Sequence, residues 1–165
     1  MDFIEYTSTW VKSEVAQGRI MIGAGIILIL VFYNIFRSQH ELLKGTLIPI
    51  SLLIIILIGY GGYILQSRPG HATESIELYS RAKAQAIEKE KLKHINDNKV
   101  GETLLRFAYP ILMMVAVLIL FITPNPYYKG MAFGFVLLFV SAYIIDHGFV
   151  SRSSAFLSFL DAIDQ

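Results

Sequence analysis

Four histidines, His40, His71, His94 and His147, are the side chains here best suited to bind a metal or move a proton near neutral pH. No two of them stand at the i, i+3 or i, i+4 spacing that places a pair of imidazoles on one helix face. His71, Glu74 and Glu77 recur every third residue, and Asp146-His147 could reach them from a second segment. A carboxylate–histidine metal site would therefore draw on His71, Glu74, Glu77 and His147. The commoner outcome of such spacing is two glutamates in the first turn of a helix, where they favour its dipole. The expectation is accordingly no metal and no other cofactor.

A second set has different chemistry. Arg68 with His71, and His147 with Arg152, each follow an apolar run. Converging, the four would hold a lipid phosphate or similar anion, which suits the bidentate geometry of arginine. Standing apart, they would only anchor helix ends in a headgroup layer. Elsewhere Arg37, His40, Glu41 and Lys44 fall within one or two turns and are expected to pair among themselves.

Several classes of chemistry are excluded. The chain has no cysteine, which removes disulfides, thiolate metal sites and thiol redox catalysis. No Asp, Glu, Lys or Arg sits in the middle of an apolar run, which argues against proton relays, ion-coupled transport and buried haem ligation. There is no zinc-protease motif and no phosphate loop. The net charge is +1, with no concentrated basic face for a nucleic-acid partner.

The elements that must position these residues are apolar. Only 16% of residues are charged and mean hydropathy is +0.56, against about 25% charged in a typical soluble domain. Four runs, residues 20–36, 47–65, 107–122 and 131–145, are long enough to cross a bilayer or nearly so. Tyr127, Tyr128 and Lys129 can complete the last one in the headgroup layer. Residues 1–18 hold Asp2, Glu5 and Glu14 against Lys12, and no small-residue cleavage site follows the first run. That run is expected to stay as a span rather than act as a cleaved leader.

Orientation follows from lysine and arginine. Arg68, Arg81, Lys83, Lys89, Lys91, Lys93, Lys99 and Arg106 crowd the loop over residues 66–106, while the two short loops hold only Arg37, Lys44 and Lys129. The long loop and both termini are therefore expected in the cytoplasm, with the chain a single multi-pass domain, residues 1–165, of the cell (inner) membrane. Within the loop, Pro69-Gly70 is expected to end span two and Thr73 to cap a new helix. Asn96-Asp97-Asn98 is expected to turn the chain before span three.

Both ends read as amphipathic helices. Ile4, Thr7, Val11 and Val15 share one face near the start, flanked by Phe3 and Trp10. Phe156, Phe159, Leu160 and Ile163 share one near the end. Asp161 and Asp164 stand where a lipid-binding helix would carry lysine, so this tail is expected to dock on protein. Gly23, Gly59, Gly61, Gly130 and Gly134 are expected to let helices approach closely, span four lying on the Gly59–Gly61 surface of span two. Lys44-Gly45 and Lys129-Gly130 hold the same place in two similar hairpins, as parallel repeats would.

The sequence thus predicts an all-α, four-transmembrane-helix bundle with amphipathic terminal helices and a helical cytoplasmic loop. The function it points to is a non-catalytic membrane accessory or assembly subunit, with membrane lipid and a protein partner or second copy as its contacts. The alternative is a membrane enzyme or carrier for a lipid-like substrate, using His71, Glu74, His147 and Arg152.

Overall fold

The computed structural model describes residues 2–164, which form an all-α fold of six α-helices and one π-helical turn. Helix α1 spans Phe3–Arg37, α2 Glu41–Gly45, α3 Leu47–Arg81 and α4 Lys83–Thr103. A π-helical turn over Leu104–Ala108 leads into α5, Tyr109–Ile122, and α6 closes the chain over Pro126–Ile163. Asp2 caps α1 by accepting from the Glu5 N–H at 2.8 Å, and Asn125 caps α6 by accepting from the Tyr127 N–H at 2.9 Å. Four helical stretches are long and apolar enough to cross a membrane. The chain is a multi-pass membrane protein.

The helices outrun the bilayer. With 35 residues each in α1 and α3 and 38 in α6, they are about 50 Å long or more, against a hydrocarbon core of about 30 Å. The excess of all three, together with α4, lies on the side of residues 66–106, called here the loop side. The amphipathic ends are thus not separate elements but direct extensions of spans one and four.

Two expected breaks are absent. Helix α3 runs through Pro69-Gly70, and Thr73, instead of capping a new helix, donates its hydroxyl to the Pro69 carbonyl at 3.1 Å. Proline removes one ladder bond, but the helix beyond it is held by packing, with Ala72 buried beside Phe3, Trp10 and Phe156. Asn96-Asp97-Asn98 likewise lies inside α4, because the Asn98 amide donates across to Ser154 Oγ at 3.0 Å rather than to its own backbone. The chain reverses at Ala82 instead, where φ is −148° and ψ is 81°.

Helix α1 packs along α3, α3 lies beside α6, and α5 sits on α6 without touching α1 or α3. Met21, Leu53, Leu57, Ile64 and Leu138 form the core within the membrane. Phe3, Trp10, Val11, Ala72, Ile87, Phe156 and Leu160 form a second core on the loop side.

Three of the five singled-out glycines sit at close approaches. A Cβ on Gly61 would lie 2.9 Å from the Gly18 carbonyl oxygen of α1. One on Gly130 would strike the Leu42 carbonyl, and one on Gly134 would strike the Pro49 ring. Gly23 and Gly59 have open space around them, which corrects the expectation for both. Each lies two residues from a packed glycine, Gly25 or Gly61, and residues two apart point to opposite sides of a helix. Span four therefore meets the start of the α2–α3 segment, while Gly61 faces α1.

Candidate ligand cavity on the loop side

The buried residues of α1 are Phe3, Thr7, Trp10, Val11, Glu14, Gly18, Met21 and Gly25, each three or four positions from another, so that they trace one helix seam. Relative to the expected stripe this face is rotated, with Ile4 42% exposed and Trp10 and Glu14 turned in. An acid in phase with such a seam must enter the interior, and the Glu14 side chain is 2% exposed.

Glu14 is held by two arginines. Arg152 Nε donates to Oε1 at 2.8 Å, and Arg68 Nε lies 3.4 Å from Oε2. Arg152 also donates to Gln17 Oε1, and the Gln17 amide donates to the Ile145 carbonyl at 3.1 Å. One carboxylate thereby ties α1, α3 and α6 together. Burial pushes its pKa up, and the hydrogen bond and charge of Arg152 draw it only partly back.

Helix α4 turns in a second row, Ala86, Glu90, His94 and Asn98, at steps of four. Burial acts to raise the Glu90 carboxyl, but His71, donating from Nε2 at 3.1 Å, holds it below its ordinary value. His94 Nδ1 lies 2.6 Å from Ser153 Oγ, and burial depresses its pKa to about 4. Lys93 is also lowered by burial, and among the described residues no hydrogen bond or ion pair engages its ammonium. Arg68 and Lys93 both lie over the Trp10 ring, 5.3 and 5.8 Å from its centroid.

Between these rows is a cavity of about 430 Å³. Trp10 and Glu14 line it from α1, Tyr60, Tyr63 and Arg68 from α3, Lys93, His94, Asp97 and Asn98 from α4, and Asp146, Phe149 and Ser153 from α6. Leu104 of the π turn completes the edge nearest the membrane, and π turns recur at functional sites. No Cα of α3 comes within 8 Å of one of α5, and Tyr63 and Leu104 line the cavity at its membrane edge. Trp10 Nε1, His94 Nε2 and Asn98 Oδ1 are buried without a hydrogen-bond partner, which is uncommon in a finished protein interior.

Of the anion set, Arg68 and Arg152 meet at Glu14, while His71 is turned to Glu90. His147 is exposed and stacks on Tyr143 of its own helix at 6.2 Å. The four do not converge, and Arg68 alone lines the cavity. The alternative metal set is not assembled either. Glu74 pairs with Lys89 at 2.6 Å, and no metal-ready cluster of three His, Asp or Glu occurs among the described residues. The tail residues Phe156 and Leu160 are 0% exposed against Phe3 and Trp10, and Phe159 stacks on Tyr6 at 4.1 Å. Ile163 remains outside, 37% exposed. Sequence reasoning passed over Glu14, Glu90, Lys93, His94 and Ser153. For Glu14, Glu90 and His94 the signal was available: ionisable groups in phase with the buried seams of α1 and α4.

Ser153, His94 and Glu90 stand in the order nucleophile, base, acid. Their geometry falls short of activation. His94 Nε2 is 3.6 Å from Glu90, too far for a hydrogen bond, and a base with a pKa of about 4 is poorly matched to neutral pH. All three lie inside helices, where main-chain N–H groups are bonded to the preceding turn and cannot form an oxyanion hole. The arrangement is a cavity lined by charged, polar and aromatic side chains in a multi-pass membrane protein. Comparison with protein-family models, curated proteins and solved structures finds no match for this chain.

Proposed function

We propose that this chain is a non-catalytic integral membrane accessory protein that binds a membrane lipid, with its headgroup in the cavity between α1, α3, α4 and α6. One observation carries the reading: Arg68 and Lys93 share the Trp10 ring in a cavity whose other edge is Tyr60, Tyr63 and Phe149. Paired cations beside an aromatic edge, where helices leave the bilayer, suit a headgroup above its acyl chains. The crowding of lysine and arginine on the loop side supports placing that side and both termini in the cytoplasm, at the inner membrane of a cell. Because Phe156 and Leu160 are used within the chain, a protein partner or second copy would need another surface.

The test is lipid retention. Protein purified in mild detergent should carry phospholipid detectable by native mass spectrometry, and Lys93→Gln should lower the bound fraction about tenfold. Lipid-free protein that also takes up none from vesicles would sink the reading. A second reading, a lipid-directed serine hydrolase, rests on the 2.6 Å contact of Ser153 with His94. Labelling of the wild type by a fluorophosphonate, abolished by Ser153→Ala, would put that reading in place of the first.

A further inference from the structure

The charges around the cavity come in both signs. Arg68 and Lys93 line it as cations, and Glu14, Asp97 and Asp146 as anions. Glu14 is already ion-paired with Arg152 and Arg68. Among the described residues no hydrogen bond or ion pair engages the Lys93 ammonium, which lies over the Trp10 ring, and Arg68 Nε is buried 3.4 Å from Glu14 without a hydrogen-bond partner. The other two acids also keep capacity: Asp146 accepts from Tyr109 through Oδ2 at 2.5 Å, which leaves Oδ1, and Asp97 is exposed at the rim. A purely anionic headgroup would meet two cations and two carboxylates together. A group carrying one oxyanion and one ammonium would satisfy both.

We propose that the cavity selects a zwitterionic phosphodiester, its phosphate on Arg68 and Lys93 over the Trp10 ring and its ammonium on Asp97 and Asp146. This rests on the lipid-binding reading and names the headgroup. Arg68 and Asp146 lie just beyond the apolar stretches of α3 and α6, and Lys93 and Asp97 stand further out on α4, so each depth offers one cation and one carboxylate. Tyr63 and Leu104, at the membrane edge of the cavity, mark the side from which the acyl chains would remain in the bilayer.

The experiment compares headgroups on matched acyl chains, using delipidated full-length protein and native mass spectrometry or a calorimetric titration. Phosphatidylethanolamine should bind at least tenfold more tightly than phosphatidylglycerol, the effect of setting a net negative group against two carboxylates at short range. Asp97→Asn with Asp146→Asn should erase that preference, and Lys93→Gln should weaken both lipids alike. Because the headgroup comparison is made on the wild type, it stands even where a variant folds poorly. Phosphatidylglycerol binding as tightly as phosphatidylethanolamine, or more tightly, would overturn the zwitterion assignment while leaving lipid binding intact. No binding of either would overturn both. Glycerophosphoethanolamine, which lacks acyl chains, should bind at least tenfold more weakly. Equal affinity would mark the ligand as a soluble phosphodiester and overturn the lipid source.

Discussion

Gly45 and Gly130 pack reciprocally: a Cβ on Gly45 would strike the Tyr127 carbonyl, and a Cβ on Gly130 would strike the Leu42 carbonyl. Each carbonyl belongs to the residue three before the other glycine. The same offset along the chain relates Pro49 to Gly134, which touch, and Leu53 to Leu138, which share the membrane core. The two hairpins therefore meet through positions that correspond along the chain. Steps of four carry this contact down α3 and α6 on facing sides.

The consequence is a graded set of glycine substitutions. Gly130→Ala and Gly45→Ala set a methyl against main-chain atoms that cannot rotate away, and each should cost about 3 kcal/mol or more of stability. Gly134→Ala meets a proline ring, which can shift with its helix, and should cost less. Gly23→Ala and Gly59→Ala enter open space and should be neutral or slightly stabilising, since alanine is the better helix former. Thermal unfolding in detergent ranks them, and a Gly130→Ala protein melting with Gly59→Ala would refute the contact.

Phe156 tests the docked tail. It contacts Tyr6, Trp10 and His94 with ring centroids 5.3, 5.5 and 4.8 Å away and is fully covered. Phe156→Ala should cost about 3–5 kcal/mol, whereas Ile163→Ala, half outside, should cost under about 1 kcal/mol. Equal melting temperatures for the two variants would mean that the tail is not part of the core.

The four spans were legible because an apolar run of bilayer length has few other uses, as with residues 47–65. Helix continuity was harder to read. Pro69-Gly70 and Asn96-Asp97-Asn98 carry local signals for a break, yet tertiary contacts of Ala72 and Asn98 hold the helix through both. The loop-side extensions were hidden for a related reason. Their seams admit Glu14, Glu90 and His94, so they lack the clean apolar period that marks a buried face. Arg68 was identified, but its mates come from helices far apart in sequence, and pairing Glu14 with Arg152 needs the folded chain.

Acid should destabilise the protein through His94. Its pKa falls from an ordinary 6.5 to about 4 in the fold. Between these values the unfolded chain binds a proton that the native chain refuses, so stability drops as pH falls from about 6.5 towards 4 and is unaffected above. The difference is worth about 3 kcal/mol. Glu14, whose pKa is raised by burial, acts in the opposite sense over the lower part of this range, so the cleanest readout is a difference. The pH profile of His94→Gln, subtracted from that of the wild type, should show the loss. Superimposable profiles would exclude His94 as its source.

The last prediction concerns the carboxylate that joins three helices. Glu14→Gln keeps the shape but leaves Arg152 and Arg68 facing each other without their anion, and removing one member of a buried pair costs about 3–5 kcal/mol. Arg152→Gln should cost less, because the arginine is 28% exposed and Arg68 still attends Glu14. The double variant should then be less destabilised than the sum of the two, by more than about 1 kcal/mol, since the second change removes a charge already stranded by the first. A further contrast separates the cluster from general packing. Thr7→Val, in the same seam of α1 and buried without a hydrogen bond, should be near neutral, because it exchanges an unpartnered hydroxyl for a methyl of similar size. Additive costs for Glu14→Gln and Arg152→Gln would show that the 2.8 Å contact does not couple α1 to α6.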